Sequence, residues 1–302
     1  MLKILANDGM AKGAVEKLQG LGHEVDVNFY DVETLKTKLK EFDCIIVRSA
    51  TKIREELIDA VAGSNLKLII RAGVGVDNID VKYAESKGIT VRNTPNSSSA
   101  SVAELTIAHM FSLARFVNIS NVTMRNGEWN KKAYKGTEIA GKTLGLIGFG
   151  RIAQEVAKRA KALGMDVIYT DLMGAKENLP EYKYVSQEDL IKTSDYISLH
   201  IPFIKEKGAT ITKNEFDMMK DGVFLINCAR GGVVCEADLL DALNSGKVAG
   251  AGIDVFEEEP TKNQTLVNHA SVSATPHIGA STAEAQTRIG EETIAVILEE
   301  LA

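Results

Sequence analysis

The sequence predicts an α/β protein whose parallel sheets are covered by helices on both faces. Three observations predict it. Short β-branched runs alternate with helical stretches over most of the 302 residues, the pattern of repeated strand–helix–strand units. Runs such as Val223-Phe224-Leu225-Ile226-Asn227 are apolar without alternation, which fits strands buried on both faces. A glycine-rich turn at Gly148 joins one apolar run to a helical one. The length leaves room for two domains.

In chain order, KILA from Lys3, CIIV from Cys44, KLIIR from Lys67 and ITVRN from Ile89 read as the strands of a first block. Asn93-Thr94-Pro95-Asn96 closes it. Proline fixes its own φ and pushes its predecessor extended, so this is a crossover point. A second block follows with strands at Leu144, Asp166, Tyr196, Val223, Ala251 and Ser271, and it closes at Thr275-Pro276-His277.

The segment Ser98–Val117 carries Val102, Leu105, Ile107, Met110, Phe111, Leu113 and Phe116 around almost its whole helical circumference. Such a helix is buried between layers or at an interface. It is expected to open the middle domain and to join a dimer contact. The tail from Ser281 reads as one helix, with capping-box spacing from Ser281 to Glu284. Ile289, Ile294, Ile297 and Leu301 supply its apolar contacts. Too short to fold alone, it must dock.

Composition is that of a soluble globular protein, 45% hydrophobic and 25% charged. A formal charge of −6 leaves no basic stripe for nucleic acid. No apolar run reaches the roughly 18 residues of a membrane span, and MLKILAND enters a strand directly with no leader pattern. A cytoplasmic location is expected. Cys44, Cys228 and Cys235 lack metal-ligand spacing, so no metal is expected, and Cys44 reads as a buried reduced thiol.

The turn Gly148-x-Gly150-x-x-Ala153 has dinucleotide-binding spacing. Gly148 permits the tight bend, Gly150 lets the backbone approach a pyrophosphate, and Ala153 allows close helix–strand packing. The helix after it, striped by Ile152, Val156, Ala160 and Leu163, points free N–H groups at the phosphates. Asp171 ends the next strand, 21 residues after Gly150. There a carboxylate accepts from ribose hydroxyls and repels a 2′-phosphate, so NAD is expected rather than NADP.

Hydride transfer at C2 of a hydroxy acid needs a cation for the carboxylate, a base for the hydroxyl proton and a group that orients the base. Arg230, Glu259 and His277 occur at strand ends of the second block. Glu257 and Glu258 compete with Glu259. His109 reads as a satisfied core histidine and His200 as structural lining, while His23 and His269 carry no signal.

The segments Asn227-Cys228-Ala229-Arg230-Gly231-Gly232, Gly252 to Pro260, and Pro276-His277-Ile278-Gly279-Ala280-Ser281 resemble the signatures of the D-isomer-specific 2-hydroxyacid dehydrogenases. With the glycine turn they fall in that family's order. The resemblance implies two Rossmann-like doubly wound parallel-sheet domains, the cofactor domain inserted into the substrate domain. Residues 1–94 with 281–302 would bind substrate and residues 95–280 would bind NAD. It implies that Arg230 clamps the substrate carboxylate and carbonyl, in a bidentate geometry lysine cannot match. His277 would be the general acid–base and Glu259 its partner. A carboxylate there stabilises imidazolium, so the ring donates as well as accepts near neutrality. Asp254 would meet the nicotinamide carboxamide. Val74, Arg151, Ile152, Cys228, Ala229, Gly279 and Ala280 would line the dinucleotide with Gly148, Gly150 and Asp171.

Within the family, Arg48-Ser49-Ala50-Thr51 and Arg71 to Asn78 are most similar to the branch that oxidises 3-phosphoglycerate to 3-phosphohydroxypyruvate in serine synthesis. The resemblance implies that Arg48 and Arg71 face the substrate phosphate, beside Gly75 and Asn78. Lys131 would add a cation across a homodimer, with Lys132 and Lys135 competing for that role. Val74 stands where a threonine is frequent in the family. The C-terminal regulatory domain of longer relatives is not expected. A glyoxylate or hydroxypyruvate reductase is the nearer alternative, and an NAD-sensing corepressor-like scaffold the more distant one.

Overall fold

The computed structural model describes residues 1–301. The chain divides into two compact units, Met1–Ser98 with the segment from Ala280 onward, and Ser99–Gly279.

The first unit alternates β1 (Lys3–Ala6), α1 (Lys12–Gly20), β2 (Glu24–Asp26), α2 (Val32–Lys38), β3 (Cys44–Val47), α3 (Glu55–Val61), β4 (Leu68–Arg71), α4 (Val81–Ser86) and β5 (Thr90–Asn93). The C-terminal helix, Ala283–Leu301, completes it. The strands pair in parallel in the order β2-β1-β3-β4-β5. Apolar runs without alternation are explained by two cores. Leu5, Ile45, Val47 and Ile69 face one side. Ile4, Cys44, Ile46, Leu68 and Ile70 face the other, where Ile289, Ile294 and Ile297 of the C-terminal helix cover them. Gly290 brings that helix against α1, since a Cβ there would lie 2.7 Å from that of Ala14.

Three details differ from the sequence expectation. The crossover into the second unit lies beyond Ser98 rather than at Thr94. Asn96 donates to Glu292 at 2.9 Å and Arg288 donates to the Ser97 carbonyl at 2.9 Å, which ties this stretch to the C-terminal helix. That helix is capped by Thr282, whose hydroxyl accepts the Ala285 N–H at 3.1 Å, and not by Ser281. The edge strand β2 is three residues long and unburied, so it offers no apolar run to read.

The second unit opens with α5 (Ser99–Ala114) and α6 (Val117–Arg125). Then come β6 (Thr143–Ile147), α7 (Arg151–Ala162), β7 (Asp166–Thr170), β8 (Lys183–Tyr184), α8 (Gln187–Thr193) and β9 (Tyr196–Leu199). The remainder is α9 (Lys213–Met218), β10 (Val223–Asn227), α10 (Glu236–Asn244), β11 (Val248–Ile253), α11 (Gln264–Val267) and β12 (Val272–Ala274). Seven parallel strands lie in the order β12-β11-β10-β9-β6-β7-β8. Winding runs outward in both directions from β6 and β9, so the topological switch point lies at their carboxyl ends, where open α/β sheets bind ligands. The exposed two-residue edge strand β8 was not legible in the sequence. As the sequence predicts, α5 is buried along most of its length, with Ala103, Met110 and Ala114 inaccessible. Among the described residues no single helix is long and apolar enough to cross a membrane.

Candidate active site

The glycine turn sits at the switch point of the second unit. Gly148 leaves β6 with φ of +86°, and a Cβ there would lie 2.6 Å from the His200 carbonyl. Only glycine fits both constraints. Gly150 caps α7, and no atom lies within 4 Å of the place its Cβ would take. That open space above a helix N-terminus suits a pyrophosphate. Ala153 is fully buried beneath it, Ile152 is half-buried and Arg151 is exposed on the first turn.

Asp171 follows β7 and binds the turn to it. One carboxylate oxygen accepts the Phe149 N–H at 2.7 Å and the other accepts the Met173 N–H at 2.8 Å. Each oxygen keeps a lone pair for a ribose hydroxyl. These residues fit an NAD molecule. Replacing Asp171 with Ala should weaken NADH binding by about 10–150-fold, the equivalent of one charge-assisted hydrogen bond of about 1.5–3 kcal/mol, measured by fluorescence titration.

The candidate reacting residues are positioned by backbone contacts at the neighbouring strand ends. After β10 the Asn227 side chain accepts the Ala229 N–H at 3.1 Å and donates to the Arg230 carbonyl at 2.9 Å. The backbone at Gly231 lies so close to Phe256 that a Cβ would meet its carbonyl oxygen at 1.7 Å. Arg230 thereby reaches the segment after β11, and its Nη1 donates to the Ala229 carbonyl at 2.6 Å.

The acidic run Glu257-Glu258-Glu259 separates by partner. Glu257 accepts the Glu236 N–H at the start of α10, Glu258 pairs with Lys262 at 2.6 Å, and Glu259 lies 2.8 Å from Nδ1 of His277. Burial alone would raise the Glu259 pKa. The hydrogen bond and charge of His277, the Phe256 N–H and the charge of Arg230 outweigh it and hold the carboxyl below its ordinary value. With Nδ1 engaged, Nε2 is the nitrogen of His277 left to exchange a proton. The half-buried ring stands on a left-handed residue, φ +53°.

The remaining candidates each have partners of their own. Asp254, almost inaccessible, accepts the Ile278 and Gly279 N–H groups at 2.8 Å each, so it anchors the turn that carries His277. Ala229 and Ala280 are half-buried. Burial pushes the Cys228 thiol up to about 12, which makes it inert packing. His200 is held near 3 by burial and shares a hydrogen bond with Ser198, a structural role as expected. His23 and His269 each face a backbone N–H.

In the first unit, Val47 and Arg71 are register partners; Arg71 ends β4, and Arg48 opens the loop that follows the adjacent strand β3. The Arg71 guanidinium lies across Gly73, where a Cβ would overlap it at 1.4 Å. The Arg48–Thr51 loop is pinned from both sides. Asp8, which the sequence reading passed over, accepts the Arg48 and Thr51 N–H groups at 2.6 and 3.1 Å. Its only sequence signal is its place directly after an apolar strand. Asn78 donates to the Arg48 and Thr51 carbonyls at 2.7 Å each. Both amide hydrogens of Asn78 are spent there, so it positions the loop. Val74 and Gly75 are half-buried, and the Val74 carbonyl accepts from Asn93. Lys131, Lys132 and Lys135 of the second unit are all exposed, and the structure does not choose among them.

Comparison with known proteins agrees with this geometry. The family described as D-isomer specific 2-hydroxyacid dehydrogenase, NAD binding domain, matches residues 107–279. The chain is 46% identical to a hydroxypyruvate reductase of Thermotoga maritima over 99% of this chain and 98% of that protein. It is 43% identical to a D-3-phosphoglycerate dehydrogenase of Methanocaldococcus jannaschii over 96% of this chain and 56% of that one. The chain thus spans about half the length of that relative. Among solved structures, a glyoxylate reductase from Paecilomyes thermophila superposes with a TM-score of 0.88 at 32% identity, covering 99% and 96% of the two chains. A D-lactate dehydrogenase from Aquifex aeolicus, complexed with NAD and lactic acid, gives 0.85 at 33% identity, covering 99% and 97%. Sequence, fold and strand-end chemistry converge, and the chain belongs to the D-isomer specific 2-hydroxyacid dehydrogenases, NAD-dependent enzymes whose cofactor domain it carries.

Proposed function

We propose that the chain interconverts 3-phosphoglycerate and 3-phosphohydroxypyruvate with NAD. The observation that carries this reading is that Arg71 ends β4 and Arg48 directly follows the adjacent strand β3. Two arginines at the carboxyl edge of one sheet can both reach a dianionic phosphate, which charge-assisted hydrogen bonds hold well. Arg230 binds the carboxylate and the C2 oxygen. Nε2 of His277 takes the hydroxyl proton in oxidation and returns it in reduction, while Glu259 holds Nδ1 and steadies the charged ring. Gly148, Gly150, Arg151, Ile152 and Asp171 hold the phosphates and ribose of the dinucleotide. Val74, Cys228, Ala229, Asp254, Gly279 and Ala280 serve its nicotinamide end. NAD supplies the acceptor for the C2 hydride.

A reductase acting on hydroxypyruvate is the second reading, favoured by the Thermotoga relative that matches along its full length. Steady-state reduction assays with NADH separate the two. Replacing Arg71 with Ala should cut kcat/KM for 3-phosphohydroxypyruvate by about 10–150-fold, at about 1.5–3 kcal/mol per charged hydrogen bond. Glyoxylate reduction should be little affected. Equal kcat/KM for the phosphorylated and unphosphorylated substrates would establish the second reading instead.

The surface of α6 supports a homodimer. The helix buries none of its residues, and Val117 and Met124, two turns apart on one face, stand exposed, apolar surface of the kind that marks association.

A further inference from the structure

His109 lies at the centre of α5, remote in sequence from the reacting residues, and both ring nitrogens are engaged. Nδ1 is 3.0 Å from the Ser273 hydroxyl and Nε2 is 3.1 Å from the Thr275 hydroxyl. The ring is seated against Gly252, where a Cβ would lie 2.7 Å from that of His109. Glycine in β11 therefore admits the imidazole between helix and sheet.

The hydrogen positions along this chain of contacts follow from the acceptor at its end. Asp254, as a carboxylate, only accepts. It takes the Thr275 hydroxyl hydrogen at 2.6 Å on the same oxygen that accepts the Ile278 N–H. Thr275 has then given away its one hydrogen and must accept from His109, so Nε2 carries a hydrogen. Burial lowers the pKa of His109 and opposes a second proton, against the weaker pull of Asp254. Nδ1 is therefore bare and accepts from Ser273. Ser273 also lies 3.3 Å from the Ser112 hydroxyl. In that longer contact the Ser273 hydroxyl is the donor, so Ser112 competes with Nδ1 for the same hydrogen.

We propose that His109 is a positioning residue for the reaction: through Thr275 and Asp254 it fixes the left-handed turn that carries His277, and so sets where Nε2 of His277 is held. Each link runs one way, from a donor on α5 to the carboxylate that grips Ile278 and Gly279. Thr275 is itself two residues before His277, and its carbonyl accepts the His277 N–H at 3.1 Å. A histidine satisfied in the core is thus satisfied directionally, and a hydrophobic residue of similar size cannot replace it. The proposal rests on the reading of His277 as the acid–base group.

The tests use the full chain. In 15N NMR of the wild type, with the His109 signals assigned by their loss in His109→Gln, the ring should be the Nε2–H tautomer and stay neutral through mildly acidic solution. An Nδ1–H tautomer overturns the proposal. In kinetics, His109→Leu should lower kcat by about 10–100-fold, because a misplacement of ~1 Å at the reacting groups costs on the order of 10²-fold. His109→Gln should restore most of the loss, since its amide offers one donor and one acceptor in place of Nε2–H and Nδ1. Thr275→Val and Thr275→Ser form a second pair, with serine the active one, should the leucine variant fail to fold. Wild-type kcat in His109→Leu or in Thr275→Val overturns the proposal. His277→Ala, measured alongside, separates the two readings. If that variant keeps its turnover, the acid–base assignment fails on its own, whatever the tautomer of His109.

Discussion

Replacing His277 with Ala lowers kcat by about 10²–10⁴-fold, the contribution of a positioned proton donor or acceptor, and leaves the dissociation constant for NADH unchanged. The asymmetry follows from position. The imidazole touches Glu259 through Nδ1 and, in the proposed reaction, would offer Nε2 to the substrate, whereas the dinucleotide turn at Gly148 and Asp171 has its own supports. Stopped-flow reduction of a 2-oxo acid with NADH, paired with a fluorescence titration, reads both quantities.

Glu259→Gln sharpens the test. It keeps a hydrogen-bonding side chain but removes the charge that steadies a protonated ring, so reduction, in which the ring must arrive protonated, suffers more than oxidation. The pH dependence has a defined sign. Because the Glu259 carboxyl is held below its ordinary value, its contribution is complete above the usual carboxylate range. It fades only as pH falls through the lowered value. An acid limb attributable to Glu259 at neutral pH contradicts this.

The second large effect is expected at Arg230. Its alanine variant should lose both arms of the proposed contact with the substrate carboxylate and C2 oxygen. At about 1.5–3 kcal/mol for each charge-assisted bond, kcat/KM falls by about 10²–10⁴-fold. Arg230→Lys retains the charge and not the planar fork, so it recovers only part of this. A lysine variant equal to the wild type would show that simple charge suffices and that the fork plays no part. The surroundings make the comparison clean. The turn holding Arg230 is built by the Asn227 side chain on backbone groups, so the long side chain can change without loosening its own support.

The strands that bear the site were legible because parallel strands buried on both faces spell uninterrupted apolar runs, as at Val223 and Leu68. Edge strands β2 and β8 spell nothing of the kind and were missed. The glycine turn and Asp171 announced themselves by spacing, and the turn geometry at Gly148 gives the physical reason. Glu259 was different. Three consecutive glutamates are equivalent until the backbone after β11 turns one of them toward His277. Asp8 and the directional role of His109 were hidden for a related reason. Their partners, Arg48 and Thr51 in one case and Ser273 and Thr275 in the other, lie 40 or more residues away in the sequence. Local pattern carries no trace of such pairs.

The C-terminal helix has a consequence for how the molecule is made. Ile289, Ile294 and Ile297 roof one face of the first sheet, over Ile4, Ile46 and Ile70. A nascent chain therefore exposes that face until Ile289, Ile294 and Ile297 have emerged, while the continuous span Ser99–Gly279 already holds everything its own core requires. The inserted unit can therefore close before the first sheet is sealed.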